Sequence, residues 1–330
     1  MIILRSMARA AYVTVCIALV SACANQDVSR YTPTSGASQS VSAISKTHPI
    51  APNCCGREKT LFVSDSLGEA VQMFDFPSGA YIGSLPAPPE GWALPTGMCS
   101  DDKGNVYIAN EAELTVDVYA HDGTFLRALK AYPAYPVACA FDRSTGDLAV
   151  SSLTDVQNAT GGISIYTNAS GTATRYTDPS APLIYFLGYM GKTGVLYFDA
   201  ETNNSQFVYG SLRKGKFQTI PLKGATIKAP GTVAYSARTR SMNLGDQWSA
   251  VLYQVSPNGT VSGSTRLKDA TIIGQGTIKG HRFVGPDNED AKVNIYAYPA
   301  GGKPKVTISG YFESPSGSAV SPDDSSDDVK

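Results

Sequence analysis

Histidine is nearly absent from this chain, with three in 330 residues, and charged side chains make up only 17% of it. The histidines, His48, His121 and His281, are scattered along the sequence. None is placed to activate a cysteine thiolate or to work with a glutamate as a lyase pair, so the common acid–base and nucleophilic constellations are disfavoured. A formal net charge of -1 supplies no basic field for a polyanion, which argues against nucleic acid as a partner. Apolar runs are short as well. The stretch from Ala10 to Val20 falls below the roughly 20 residues of a comfortable permanent membrane span. What is plentiful is Gly (31), Pro (20) and Tyr (18), a composition suited to many short strands joined by tight turns. It points to an all-β chain.

The N-terminal stretch, residues 1–22, carries Arg5 and Arg9 ahead of that apolar run and reads as a cleaved export signal. It ends in Val20-Ser21-Ala22-Cys23, which resembles the bacterial lipobox. The resemblance implies a diacylglycerol on the Cys23 thiol and Cys23 as the first mature residue, tethering the protein to a membrane that it does not cross. An ordinary secretory signal, with Ser21-Ala22 serving a general peptidase, is the other reading of the same residues. Residues 23–57 are rich in Ser, Thr, Pro and Ala without apolar periodicity and are expected to form a flexible tether.

From Leu61 onward one phrase returns about every 40 to 48 residues, the spacing of propeller blades. One copy runs Thr96-Gly97-Met98-Cys99-Ser100, then Gly104-Asn105-Val106-Tyr107-Ile108-Ala109-Asn110, then Thr115-Val116-Asp117-Val118-Tyr119, then Thr124-Phe125-Leu126. The next repeats it from Val137-Ala138-Cys139 to Thr174-Arg175-Tyr176. Each copy predicts four strands. The turn before the outermost strand recurs as Pro77-Ser78-Gly79, Asp122-Gly123, Ala169-Ser170-Gly171, Arg213-Lys214-Gly215, Pro257-Asn258-Gly259 and Ala300-Gly301-Gly302, which predicts six blades. The first copy starts at its second strand. Pro315-Ser316-Gly317-Ser318-Ala319 matches Pro95-Thr96-Gly97-Met98-Cys99 and is expected to supply the missing inner strand and close the ring. The propeller is thus assigned to residues 58–322, with an acidic, solvated tail at 323–330. The later copies are more divergent: Ile184–Tyr189, Thr232–Ser236 and Gly274–Lys279 stand where inner strands should, while the later second strands are weaker, notably Ser241-Met242-Asn243-Leu244-Gly245-Asp246.

These phrases resemble the NHL-type repeat, with its proline-led inner strand and a Gly-Asn-Val-Tyr-like second strand ending in Asp or Asn. Gly162-Ile163-Ser164-Ile165-Tyr166 with Asn168-Ala169-Ser170-Gly171, and Tyr298-Pro299-Ala300-Gly301-Gly302, are also similar to a group of bacterial lipoprotein-like surface or periplasmic propellers. The resemblance implies a six-bladed β-propeller and an address, and no particular reaction.

Second-strand ends and the loops after them converge on one mouth of such a ring, and here they are acidic: Asp65, Glu69, Glu111, Glu113, Asp155, Asp199, Glu201, Asp246, Asp287, Glu289 and Asp290. One reading is a carboxylate funnel for cations; the other is that each Asp accepts hydrogen bonds from its own turn. Gluconolactonase-type propellers hold a divalent cation such as Ca²⁺ over the channel. By position alone, Asp199, Asp246, Asp287 and Asn110 are the nearest equivalents here. Four cysteines besides Cys16 and Cys23 remain: Cys54, Cys55, Cys99 and Cys139. Two disulfides are possible for an exported chain, while Cys99 and Cys139, in the inner strands of adjacent blades, also read as buried free thiols. Tyr107, Tyr119, Tyr166, Tyr197, Tyr253 and Tyr296 are expected in the core between blades, and Trp92 and Trp248 as exposed contacts. The function expected is a non-catalytic binding or scaffolding module for a protein or glycan; the alternative is a metal-dependent lactonase or hydrolase at the acidic mouth.

Overall fold

The computed structural model describes residues 59–323. The expected export signal and tether, with Cys23, His48 and Cys54-Cys55, lie outside the described residues. Twenty-four strands form six four-stranded antiparallel sheets, with a single short 3₁₀ turn at Thr167–Ala169 among the described residues. Blade two is β4 (Pro95–Ser100), β5 (Val106–Asn110), β6 (Thr115–Tyr119) and β7 (Phe125–Lys130). Blade three is β8 (Ala134–Phe141), β9 (Leu148–Asp155), β10 (Gly162–Tyr166) and β11 (Thr174–Tyr176). Blade four is β12 (Leu183–Tyr189), β13 (Leu196–Glu201), β14 (Phe207–Arg213) and β15 (Lys216–Ile220). Blade five is β16 (Pro230–Ser236), β17 (Ser241–Asp246), β18 (Val251–Val255) and β19 (Val261–Arg266). Blade six is β20 (Thr277–Lys279), β21 (Arg282–Asp287), β22 (Lys292–Ala297) and β23 (Val306–Ser309).

Blade one joins the two ends of the chain. Its outer strands are β1 (Thr60–Asp65), β2 (Ala70–Asp75) and β3 (Tyr81–Ser84), and its inner strand is β24 (Pro315–Ser321), paired to β1 from Thr60↔Ser321 to Asp65↔Pro315. The ring is closed as the sequence predicts.

Alternation along the second strands explains why so many of their residues are apolar. In β1, Leu61 and Val63 pack into the seam with blade six, while Phe62 between them packs into the seam with blade two. In β5, Val106 and Ile108 face blade one and Tyr107 faces blade three. A blade is buried on both faces, so a period-two strand serves two cores at once. Six hydrophobic clusters result, one at each seam. Five of the six expected core tyrosines are buried in them or beside them, and Tyr253 is half-buried.

Inner strands crowd the axis. A Cβ on Gly97 would lie 2.5 Å from the Val137 carbonyl oxygen, and one on Gly317 would lie 2.5 Å from that of Thr96, so only glycine lets neighbouring strands approach this closely. The sixth inner strand departs from expectation. Thr277–Lys279 pairs with β21 and Ile273 bridges Asp287 at its end, while Gln275 between them turns aside to bridge Gly317 in β24. Every other inner strand also shifts register against its second strand, and here the Pro286 carbonyl accepts from Gly274 N at 2.9 Å.

Candidate functional site

The register separates the two mouths of the ring. β4 begins with Pro95 opposite Asn110 and ends with Ser100 opposite Val106. Second-strand ends therefore lie at the mouth where the inner strands begin. There the chain arriving from the previous blade presents N–H groups that no ladder satisfies, and buried Asp or Asn side chains accept them. Asp65 takes the N–H groups of Glu313 (2.9 Å) and Ser314 (2.7 Å), just ahead of β24. Asn110 takes Ala93 (2.8 Å), just ahead of β4, and Asp246 takes Ala229 (3.2 Å), just ahead of β16. Asp287 takes Thr271 (3.0 Å) and Ile272 (3.1 Å) ahead of the sixth inner strand. Asp155 instead caps its own turn through Gln157 N (2.9 Å) and pairs with Arg175 (2.9 Å).

Asp199 is of another kind. It lies inside β13, opposite Tyr209, and accepts from Phe186 N (2.8 Å), an N–H freed by the bulge of β12. Burial drives its carboxyl well above the usual carboxylate range, and the N–H groups of Phe186, Asp199 and Gly231 offset only part of that. Its Oδ2 accepts no hydrogen bond.

Asp199, Asp246, Asp287 and Asn110 thus remain on blades four, five, six and two, their oxygens turned to backbone N–H groups. Among the described residues no three His, Cys, Asp or Glu side chains converge as metal ligands would. Ca²⁺ takes about six to eight oxygens at roughly 2.3–2.6 Å, and this set does not fit it. Two more acids at this mouth are buried. Burial pushes the Glu111 carboxyl up to about 7. It pushes Asp117 up to about 6 against hydrogen bonds from Asn110 and Thr115, with the charges of Glu90 and Glu113 adding to the rise. The loops of the same mouth expose Leu67, Tyr132, Val156 and Trp248, the last at 58%. Exposed Glu69, Glu113 and Glu289 lie in those loops too. Trp92, expected at the surface, is buried and stacked on Tyr119 at 5.7 Å, because the Pro-rich loop folds back over the seam of blades one and two.

The opposite mouth, where the inner strands end, holds an axial cavity of about 350 Å³. Cys99 and Cys139 line it and form a disulfide with Cα atoms 5.6 Å apart. The free-thiol reading is thereby overturned: matching positions on adjacent inner strands sit at bridging distance because the strands crowd the axis. Gln275 lines the cavity from blade six and donates across the axis to the Cys139 carbonyl of blade three at 2.9 Å. Its Oε1 is buried and accepts nothing. Phe141, Tyr189 and Tyr235 give the wall its aromatic part, and Arg143 and Lys192 its charge.

Asp323, grouped with the acidic tail on sequence, reaches this mouth and lines the cavity. Its carboxylate pairs with Arg143 and, at 3.1 Å, with Lys279, whose side chain is 2% exposed. Asp101 and Asp142 lie at the same mouth but accept from their own turns, at Asn105 N (2.8 Å) and Ser144 N (2.8 Å). Of the described histidines, His121 Nδ1 meets Ser321 Oγ at 2.9 Å and His281 Nε2 meets Arg238 at 3.0 Å. Sequence reasoning missed the cavity. Its signals, an Arg in the loop after β8 and a Lys at the end of β20, carry no shared motif.

No family model matches the chain, and no curated protein matches it. Among solved structures it is similar to a chain of a nidogen/laminin complex, with a TM-score of 0.65 at 12% identity over 79% of this chain and 98% of that one. It also matches a calcium-binding protein, regucalcin, from Agrobacterium tumefaciens, with a TM-score of 0.48 at 15% identity over 69% of this chain and 78% of that one. The first likeness shows the fold.

Proposed function

We propose that the chain is an exported propeller, lipid-anchored at Cys23, that acts as a non-catalytic binding module for a protein partner. The observation that carries this reading is the mouth where the inner strands begin. Its Asp and Asn side chains are committed to backbone, while its loops expose Leu67, Tyr132, Val156 and Trp248 among acidic neighbours. Aromatic and aliphatic anchors within a charged rim are the usual makings of a protein interface. The nidogen/laminin neighbour, taken from a protein–protein complex, supports the reading. A partner with apolar contacts and basic surroundings suits this chemistry, and its association should weaken with salt.

The test is site-specific photo-crosslinking in cells from positions 132 and 248. A discrete adduct that disappears in a Leu67→Glu/Val156→Glu variant with unchanged circular dichroism supports the module. Crosslinking from the outer-strand position 218 to the same species, or none from either mouth position, overturns it.

A further inference from the structure

We infer that blades four to six, on the side where the inner strands end, form a docking surface for anionic phospholipid headgroups, on which the propeller rests when anchored at Cys23. The inference takes the lipid anchor of the proposed function as its premise. Charge carries it first. On this side the turn from β14 to β15 exposes Arg213, Lys214 and Lys216, and the turn from β12 to β13 exposes Lys192. The turn from β16 to β17 exposes Arg238 and Arg240, and that from β22 to β23 exposes Lys303 and Lys305. No Asp or Glu lies in any of these turns, nor in those from β18 to β19 and from β20 to β21. Among the described residues no ion pair joins these cations to an acid. The acids of this side lie in blades one to three, among them Asp102, Asp122 and Asp147. Asp324, Asp327 and Asp328, which follow Asp323, are too few to neutralise the cations of all four turns.

The second observation is where the chain enters. β1 begins at Thr60, paired with Ser321 at the end of β24, so residues 23–58 join the propeller at Lys59 on this same side. An anchor at Cys23 brings the cationic side to the membrane without the chain passing round the ring, and the proposed protein-binding loops then face away from it. None of the exposed large hydrophobic side chains lies in these turns, so the contact is electrostatic and inserts nothing among the acyl chains.

The probe is a vesicle of phosphatidylglycerol and phosphatidylcholine in equal parts, sedimented with the full mature chain carrying Cys23→Ser, so that binding owes nothing to an acyl chain. Saturable binding is expected, with none to phosphatidylcholine alone and loss at about 1 M salt, where charges are screened beyond roughly 3 Å. Lys214→Asn/Lys216→Gln should weaken it roughly thirtyfold, at about 1 kcal/mol for each charge near the surface. Asn suits the left-handed backbone of position 214. Lys130→Gln/Lys228→Gln removes the same charge from the opposite side and should leave binding unchanged. All four lysines are exposed, so neither variant disturbs the core. No binding to the mixed vesicles, equal losses in the two variants, or binding to a soluble acidic polysaccharide but not to the vesicles each overturns the inference. Acylation is read separately, from the mass of the chain exported by bacterial cells. An unacylated wild-type chain that still binds the mixed vesicles overturns the anchor alone, whereas an acylated chain whose Cys23→Ser form ignores them overturns this surface alone.

Discussion

Breaking the Cys99–Cys139 bridge is the perturbation whose size follows most directly from the structure. The bridge closes a loop with a sequence separation of 40 and ties the inner strands of blades two and three at the axis. A loop of that length restricts the unfolded chain by roughly 13 cal/mol/K in the chain-entropy treatment, or ~4 kcal/mol at 25 °C. With a urea slope of about 3 kcal/mol/M, the unfolding midpoint should fall by about 1.3 M on reduction. The assay is equilibrium urea unfolding followed by circular dichroism, with and without dithiothreitol, in a Cys54→Ser/Cys55→Ser background. A further Cys99→Ala/Cys139→Ala variant should lose a similar amount without reductant and be indifferent to it. Two reactive thiols in the urea-unfolded, unreduced chain, together with a midpoint that ignores dithiothreitol, would refute the bridge and return both cysteines to buried thiols.

Ending the chain at Ser314 removes β24, its ladder to β1 and the buried Ala319 and Val320; the expected result is loss of cooperative thermal unfolding, and a normal melt would show that ring closure is dispensable. Asp246→Ala leaves the Ala229 N–H without its acceptor, for about 1–3 kcal/mol by urea unfolding, and Ca²⁺, Mg²⁺, Mn²⁺ or Zn²⁺ added after chelation should leave the wild-type melting midpoint unmoved. A saturable rise with one metal, abolished by Asp199→Asn or Asp287→Asn, would restore the metal-dependent reading. Glu111 holds its proton more tightly folded, at about 7, than at its ordinary 4.5, so its stabilisation is full below pH 4.5 and is lost as pH rises through 7. Glu111→Gln should therefore match wild type near pH 4.5 and exceed it by up to ~3 kcal/mol at pH 8; a difference independent of pH would count against the burial argument.

Blade number, strand order and ring closure were legible because they rest on local, repeated chemistry: six turns of one kind and a C-terminal phrase matching Pro95–Cys99. The weak copies were weak for reasons the structure supplies. Met242 and Leu244 in β17 fill one seam, but the residue between them is Asn243, whose Oδ1 accepts from Tyr298 Oη of blade six at 2.8 Å. A polar residue satisfied by the next blade breaks the apolar pattern without breaking the strand. Gln275 differs: its backbone leaves the sixth ladder to bridge Gly317 of blade one, a long-range pairing that no window around Gln275 contains.

The two mouths show why a count of acids is weak grounds for a metal site. The acids that ring the first mouth look like a cation funnel in sequence, yet Asp65, Asn110, Asp246 and Asp287 answer a backbone need created at four of the six passages from one blade to the next. Repetition of the acid follows from repetition of that need, so a periodic carboxylate in a propeller is weak grounds for a metal. The informative charges are those the repeat does not require. Arg143 and Lys279 come from non-equivalent positions, a loop in blade three and a strand end in blade six, and still meet on one carboxylate. Nothing in blade geometry demands that convergence. Reversing it with Arg143→Glu should bring like charges together at Asp323 and loosen the segment that ends β24, read as faster amide exchange over residues 319–323 with the other five blades unchanged. Exchange that stays at wild-type rates would show that the pair does not hold this segment.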